Sequence, residues 1–408
     1  MNPPLRVAFV VNDLQLSGGV SVVVEHARRL ARHGIAAELV LARAQAEPDW
    51  AFPGLGELPV HGMEVARRAD YDLVVATWWE TVGPALELSA KRHAYFIQSL
   101  EDRFYKPGEP ARLAAALTHD LPLPVITEAR WIAETLEALH PQRRCLLVRN
   151  GIAKDVFAGP RTPPPRRDGP LRILVEGSSA WFKGVPEALA ATRAMQQPRH
   201  VTLVAPKGET PEGVDVRVGP LPQRDLATLY AQTDVVLKLS RVEGMFGPPL
   251  EAFHLGATCV VSAVTGHEEY VEHGENGLVV EWDDDRGTSR ALDLLARDRM
   301  LLHRLRWGAL ATARGWPSWD QQATVMAAAL REVARRPPLA ANGFDARMIA
   351  EVRGGIEAHA LVVAERDRLL WRLRPVDAVQ RALETPALAW AGRPMKRAWS
   401  GARRRAGR

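Results

Sequence analysis

The chain has 408 residues and 47% of them are hydrophobic, a length about twice that of a common single domain. Its 53 basic and 48 acidic residues leave a net charge of only +5, and no reading motif for nucleic acid accompanies the excess. Two cysteines, Cys145 and Cys259, exclude a disulfide framework or a cysteine metal cluster, and no apolar run of about 18 residues predicts a membrane span.

Met1 to Pro4 leads straight into an apolar segment with no secretory signal pattern, so a cytoplasmic protein is expected. Arg6 to Asn12 reads RVAFVVN, a strand suited to a sheet covered on both faces. A loop then ends in Gly18-Gly19, and Val20 to His33 has a helical period that Gly34 can stop. Further strands are predicted at 37–42, 72–76, 94–98, 124–127 and 145–148, with a helix over 129–139. Asn150-Gly151 is a turn signal. Pro160 to Pro170 reads PRTPPPRRDGP, too rich in proline and charge for a regular element, and is taken as a linker.

The pattern restarts after it. Strands are predicted at 171–175, 200–204, 214–218, 234–239, 258–262 and 277–280, and helices at 185–195 and 224–232. This is an α/β protein of two Rossmann-like domains, 1–160 and 171–336, facing a cleft across the linker at 161–170. Residues 337–408 are expected to form a helical crossover, interrupted at Gly354-Gly355, and a basic tail. Arg393 to Arg408 carries seven basic residues and no acidic one. Two accounts fit that tail, a solvated terminus or attachment to an anionic membrane surface.

The most informative segment is Ser240 to Glu251, SRVEGMFGPPLE, between the strand ending at Leu239 and the helical run Ala252-Phe253-His254-Leu255. A strand, a glycine turn and a helix start place backbone N–H groups at the carboxyl edge of a sheet, where an anion is favoured. Glu243 falls in the turn and Glu251 near the helix start. On the residues alone, two solvated carboxylates account for them as well as a binding pair does. Asp283-Asp284-Asp285 reads as an acidic helix start, and His267 lacks partners at metal spacing, so no metal site is expected.

The segment resembles the E-x7-E signature of family-four retaining glycosyltransferases, which have the GT-B fold. Glu243 and Glu251 match the two carboxylates, while Gly244, Phe246, Gly247 and Gly256 match the turn and the helix that follows. The resemblance spans roughly residues 6 to 330. It implies a nucleotide-sugar donor carrying UDP, dTDP or GDP, and catalysis without a metal. It implies that Glu243 faces the transferred sugar and that Glu251 accepts bonds from the ribose hydroxyls. Backbone groups at Met245, Phe246 and Gly247 would hold sugar or phosphate oxygens.

Within EGSSAWFKG (176–184) the same resemblance puts Lys183 on the departing diphosphate. Ser178 and Ser179 stand where relatives carry a second cation, and Lys207 is a candidate replacement. Gly18 and Gly19 match the family's phosphate-approaching loop, and Leu221 would pack on the base. Gln98 stands where many relatives have a histidine. YFIQSLEDRFY looks like a bacterial subgroup containing rhamnosyltransferases, with Gln98 and Glu101 as candidate sugar or acceptor contacts; an alternative for Glu101 is a loop pair with Arg103. The implied acceptor is a glycan, a lipid-linked saccharide or a small molecule. A sugar-nucleotide epimerase, a phosphorylase and a non-catalytic glycan-binding scaffold remain as alternatives.

Overall fold

Strand β1 (Leu5–Val11) reads LRVAFVV, and its last five residues are buried. Branched side chains of this kind suit a pleated layer covered on both faces. The computed structural model describes residues 3–43, 52–163, 169–206 and 208–337, and positions 354, 355, 358, 361, 362, 365 and 368. Lys207, the centre of the proline-rich linker and the basic tail lie outside the described residues.

The first sheet contains β1, β2 (Ile35–Leu41), β3 (Val60–Gly62), β4 (Tyr71–Ala76), β5 (Ala90–Ile97), β6 (Val125–Thr127) and β7 (Leu146–Leu147). Its order is β3-β2-β1-β4-β5-β6-β7, and every pairing is parallel. The second sheet contains β8 (Leu171–Glu176), β9 (Arg199–Val204), β10 (Val216–Val218), β11 (Val235–Lys238), β12 (Thr258–Ser262) and β13 (Gly277–Val280). Its order is β10-β9-β8-β11-β12-β13, again parallel throughout.

In both sheets the chain starts in the middle, builds outward on one side and then crosses to the other. The reversal lies between β1 and β4 in the first sheet and between β8 and β11 in the second. At such a point the loops leaving adjacent strands diverge, and a crevice opens at the carboxyl edge. Residues 12–17 and 77–78 are the loops at the first reversal, and residues 177–184 and 239–246 those at the second.

The edge strand β3 and the helix Pro110–His119 were not expected from the sequence. Val60-His61-Gly62 is too short to show alternation, and Pro110 is tolerated because it opens its helix.

One helix joins the halves. Trp319–Arg335 follows the second sheet in sequence, yet Met326, Ala327, Leu330 and Val333 enter the core under the first sheet with Val7, Phe9, Val23 and Leu30. Its start is fixed by Ser318, whose hydroxyl accepts the Gln321 N–H while the Gln321 side chain accepts from the Ser318 N–H. The apolar stripe that matches the first core thus lies on 319–335, and the crossover expected beyond 337 falls mostly outside the described residues. Residues 353–408 form a separate unit. Its described positions, Gly354 and Gly355 among them, are helical.

Leu330 is completely buried in the shared core. Leu330→Ala is expected to lower unfolding free energy by about 3 kcal/mol, from lost burial and the cavity left behind. Denaturant titration followed by circular dichroism measures it.

Candidate active site

The loop after β11 carries Glu243, whose exposure is only 8%. Two ammonium groups converge on one of its oxygens. Lys183 Nζ lies 3.0 Å and Lys238 Nζ 3.3 Å from Glu243 Oε1. Lys238 closes β11 with its side chain sealed in the sheet, and it also reaches Glu176 Oε2 at 3.1 Å, at the end of neighbouring β8. Burial by itself would raise the Glu243 carboxyl, but Lys238 and then Lys183 outweigh it and hold the group at about 2. Lys238 answers the same way: burial works against its charge, Glu176 and Glu243 overcome that, and its pKa is raised. Glu243 Oε2 is the oxygen not engaged by the two lysines.

This arrangement needs the β8 and β11 loops to touch. The Arg241 N–H donates to the Phe182 carbonyl at 2.8 Å. Gly184 has φ +63°, and a Cβ there would stand 1.9 Å from the Leu239 carbonyl oxygen. Only glycine accepts both that backbone conformation and that approach.

Glu251 lies in the helix Gly247–His254, half-buried, with its Oε1 3.6 Å from where a Gly247 Cβ would sit. Burial first, and the nearby Glu176 charge second, raise its carboxyl to about 7. Pro248 and Pro249 open this helix. Phe246 packs on Tyr270 with ring centres 5.8 Å apart, and Met245 is also buried, so these side chains serve the core.

The first half meets this loop directly. A Cβ on Gly244 would lie 1.8 Å from the Gln98 carbonyl oxygen and 2.7 Å from Glu128 Oε1. Trp131 Nε1 donates to the Gly244 carbonyl at 2.8 Å, and the Met245 N–H donates to Glu128 Oε1 at 3.0 Å. Ser99 Oγ donates to the Glu243 carbonyl at 3.4 Å. A Cβ on Gly19 would be 3.4 Å from the Gln98 side-chain amide, which places Gln98 between the glycine loop and Gly244. At the rim, Phe104 packs on Phe182 with centroids 5.0 Å apart, and Trp181 Nε1 donates to the Phe104 carbonyl at 3.2 Å.

The expected site residues therefore divide. Gly19 abuts Gln98, Lys183 pairs with Glu243, Glu251 lies next to Gly247, and Gly18 opens the helix Gly18–Leu30 that also contains Gly19. Ser178 is spent locally, its Oγ accepting the Ala180 N–H at 3.3 Å, and Ser179 is exposed in the same loop. Leu221 is half-buried ahead of the helix Gln223–Ala231.

Two expectations need correction. Glu101 is completely buried and accepts bonds from the Trp79 N–H and the Tyr95 hydroxyl, so it pairs neither with a ligand nor with Arg103. Arg103 instead donates to Thr265 Oγ1 at 2.8 Å. The Met245 N–H, expected to serve a ligand, is taken by Glu128.

Lys238 was missed, and Glu128 was met only within Thr127 to Trp131, a stretch that resembles a family landmark near the cleft, with no role given to it. A lysine in a run of valine and leucine is the signal that could have revealed the first, since a buried ammonium must have carboxylate partners. Asp283 pairs with Arg241 and Asp284 caps its helix through the Gly287 N–H at 2.7 Å. Among the described residues no three His, Cys, Asp or Glu side chains are gathered to hold a metal ion, and no helix is long and apolar enough to cross a membrane.

The family described as "Glycosyl transferases group 1" matches residues 214–312, which include the loop and helix bearing Glu243 and Glu251. Solved structures match over most of the chain. HepE of Anabaena, in complex with UDP and glucose, superposes with a TM-score of 0.65 at 16% identity, covering 80% of this chain and 100% of HepE. Sucrose-phosphate synthase of Thermosynechococcus elongatus gives 0.65 at 18%, covering 81% and 99%. The lipopolysaccharide outer core galactosyltransferase WaaB gives 0.59 at 16%, covering 80% and 99%. No curated protein matches the sequence.

The fold is GT-B.

Its two parallel sheets flank a crevice, as the sequence led us to expect, and Lys183, Glu243 and Lys238 meet where the second sheet reverses. The two lysines of this GT-B site differ in burial, and so in what their loss does. Lys238→Ala strands nearly buried carboxylate charge and is expected to cost about 3 kcal/mol of stability. Lys183→Ala, at the half-open end, is expected to cost less than about 1 kcal/mol. Thermal unfolding of both variants at neutral pH tests the contrast.

Proposed function

We propose that this chain is a retaining glycosyltransferase of the family-four type that takes a sugar from a UDP-sugar and passes it to a glycan or lipid-linked acceptor. The observation that carries the reading is the charged row Lys183–Glu243–Lys238–Glu176, set on the ends of β8 and β11 and the loops that leave them, where the second sheet reverses. HepE, TarM and GtfA, solved neighbours of this fold, hold UDP or a UDP-sugar, which supports the choice of donor. WaaB acts on lipopolysaccharide outer core, which supports a surface-glycan acceptor. The second half, about 171–336, would bind the donor and the first, about 1–160, the acceptor.

Glu243 Oε2 would accept a hydroxyl of the transferred sugar, and Lys183 would turn from Glu243 to the diphosphate. The acceptor oxygen forms a bond to the anomeric carbon on the face that the diphosphate leaves, so configuration is retained. The acceptor proton passes to the departing phosphate oxygen. Lys183 then meets negative charge where it grows, the kind of interaction that lowers a barrier. Glu251 would accept the ribose hydroxyls, and Leu221 would lie against the base. We propose the same cytoplasmic setting as the sequence implied, with the basic tail as a membrane attachment and the rhamnosyltransferase-like subgroup as the nearest class.

Thermal-shift screening of UDP-, dTDP- and GDP-sugars, followed by NMR of the product anomer, tests the reading; stabilisation by none of them, or an inverted product, overturns it. Lys183→Ala is expected to lower turnover about a hundredfold, in the range of a lost oxyanion donor. Steady-state kinetics with the best donor measures it.

The Glu251 carboxyl, raised to about 7, gives a pH signature. A carboxylate accepts hydroxyl hydrogen bonds more strongly than a neutral acid does. Affinity for UDP-glucose is therefore expected to rise severalfold from pH 6 to pH 8, and Glu251→Gln is expected to abolish the rise. Isothermal calorimetry across that range decides it; UDP-glucose itself carries no group titrating there.

A further inference from the structure

Glu128 follows β6 of the first sheet and is 4% exposed. Its two oxygens each accept one bond. Oε1 takes the Met245 N–H at 3.0 Å, and Oε2 takes Asn150 Nδ2 at 2.9 Å. Met245 belongs to the second half, two residues after Glu243, whereas Asn150 follows the last strand of the first sheet. Trp131, from the helix after Glu128, donates to the neighbouring Gly244 carbonyl at 2.8 Å. The first half thus holds consecutive backbone groups of the loop that bears Glu243, one through a carboxyl and one through an indole.

We infer that Glu128 is an interlobe positioning residue, which sets the Glu243 loop in place by holding the Met245 N–H and loosens it when that acceptor is removed. The inference rests on the glycosyl-transfer reading only for its kinetic consequence; the contact itself stands without it. A buried carboxyl accepting from a single backbone N–H controls that amide's fate, because its removal leaves a donor unsatisfied out of water.

The groups facing Glu128 fix the sense of a pH dependence. Met245 N–H and the Asn150 amide donate to it; Glu243 and Glu269 add negative charge nearby. Glu269 is itself paired with Arg149 at 3.4 Å and accepts the Arg130 N–H. Burial first, with Glu243 and Glu269 adding to it, raises the Glu128 carboxyl to about 8 against the two donors. When the loop lifts away and water reaches the carboxyl, its pKa falls toward the ordinary value of about 4.5. The closed arrangement then binds the proton more tightly than the open one. Its stability is full below about 4.5 and is lost as pH rises to about 8.

Glutamine can replace the carboxyl without losing either contact. Its oxygen accepts the Met245 N–H, and its amide can donate to Asn150 Oδ1, which is buried without a partner. Alanine can do neither.

Hydrogen exchange at Met245 in the full chain tests this, measured from pH 5 to pH 8 and corrected for intrinsic exchange. In the wild type protection is expected to fall by about tenfold or more over that range, tenfold being one unit of pKa difference. Glu128→Gln should keep protection but flatten its pH dependence, and Glu128→Ala should lose protection at every pH. Equal protection in wild type and Glu128→Ala overturns the inference, as does an unchanged pH dependence in Glu128→Gln. If the alanine variant fails to fold, the glutamine arm decides alone.

Turnover of UDP-glucose is measured on the same samples. Glu128→Ala should lower kcat with little change in donor KM, and Glu128→Gln should restore kcat. A wild type that turns over no UDP-sugar defeats the transferase reading and leaves the exchange result standing.

Discussion

A carboxylate held out of water between two ammonium groups governs this site. Glu243 would take up a proton if burial acted alone, and it stays charged because Lys183 and Lys238 both meet its Oε1. Glu176 balances the second lysine, so the row carries two positive and two negative groups. That balance lets a sheet edge bury charge without the penalty of an isolated ion. It also leaves Lys183, the more exposed of the two lysines, as the cation an arriving anion can draw away.

The row exists only because β8 and β11 are neighbours in space although residues 177–234 separate them in the chain. The sheet reversal throws their loops apart at the carboxyl edge, and Gly184 lets them approach again beneath the crevice. The first half completes the arrangement from above. Gln98 presses on Gly244, Trp131 and Glu128 hold the loop backbone, and Phe104 meets Phe182 at the rim. The helix Trp319–Arg335 ties both halves together by lending Met326 and Leu330 to the first core.

Where sequence reasoning and structure part, burial is the reason. Glu101 reads as a loop carboxylate, but the turn after β5 folds inward and supplies it with Trp79 and Tyr95 as donors. Met245 sits in a turn whose N–H groups look free, and a carboxyl from the other half takes one of them. Ser178 cannot replace a cation, and its hydroxyl closes a local turn; the second positive charge beside Glu243 comes instead from Lys238. The partners that overturn the local reading come from other segments of the chain. Glu128 and Met245 are 117 positions apart, and Tyr95 and Glu101 meet only because β5 and the turn after it fold together.

The sequence by itself determined the elements and the chemistry of the loops. Period-two and continuous apolar runs placed most strands, since a residue's own neighbours decide whether it can pleat or coil. The glycine-proline turn marked where Glu243 and Glu251 would stand, because proline is tolerated at the first turn of a helix. Tertiary structure alone decided which charges share one oxygen, which N–H is spent inside the protein and which helix returns to the first sheet. Those outcomes depend on strand order and on desolvation. Both are properties of distant segments brought together, and no local pattern encodes them.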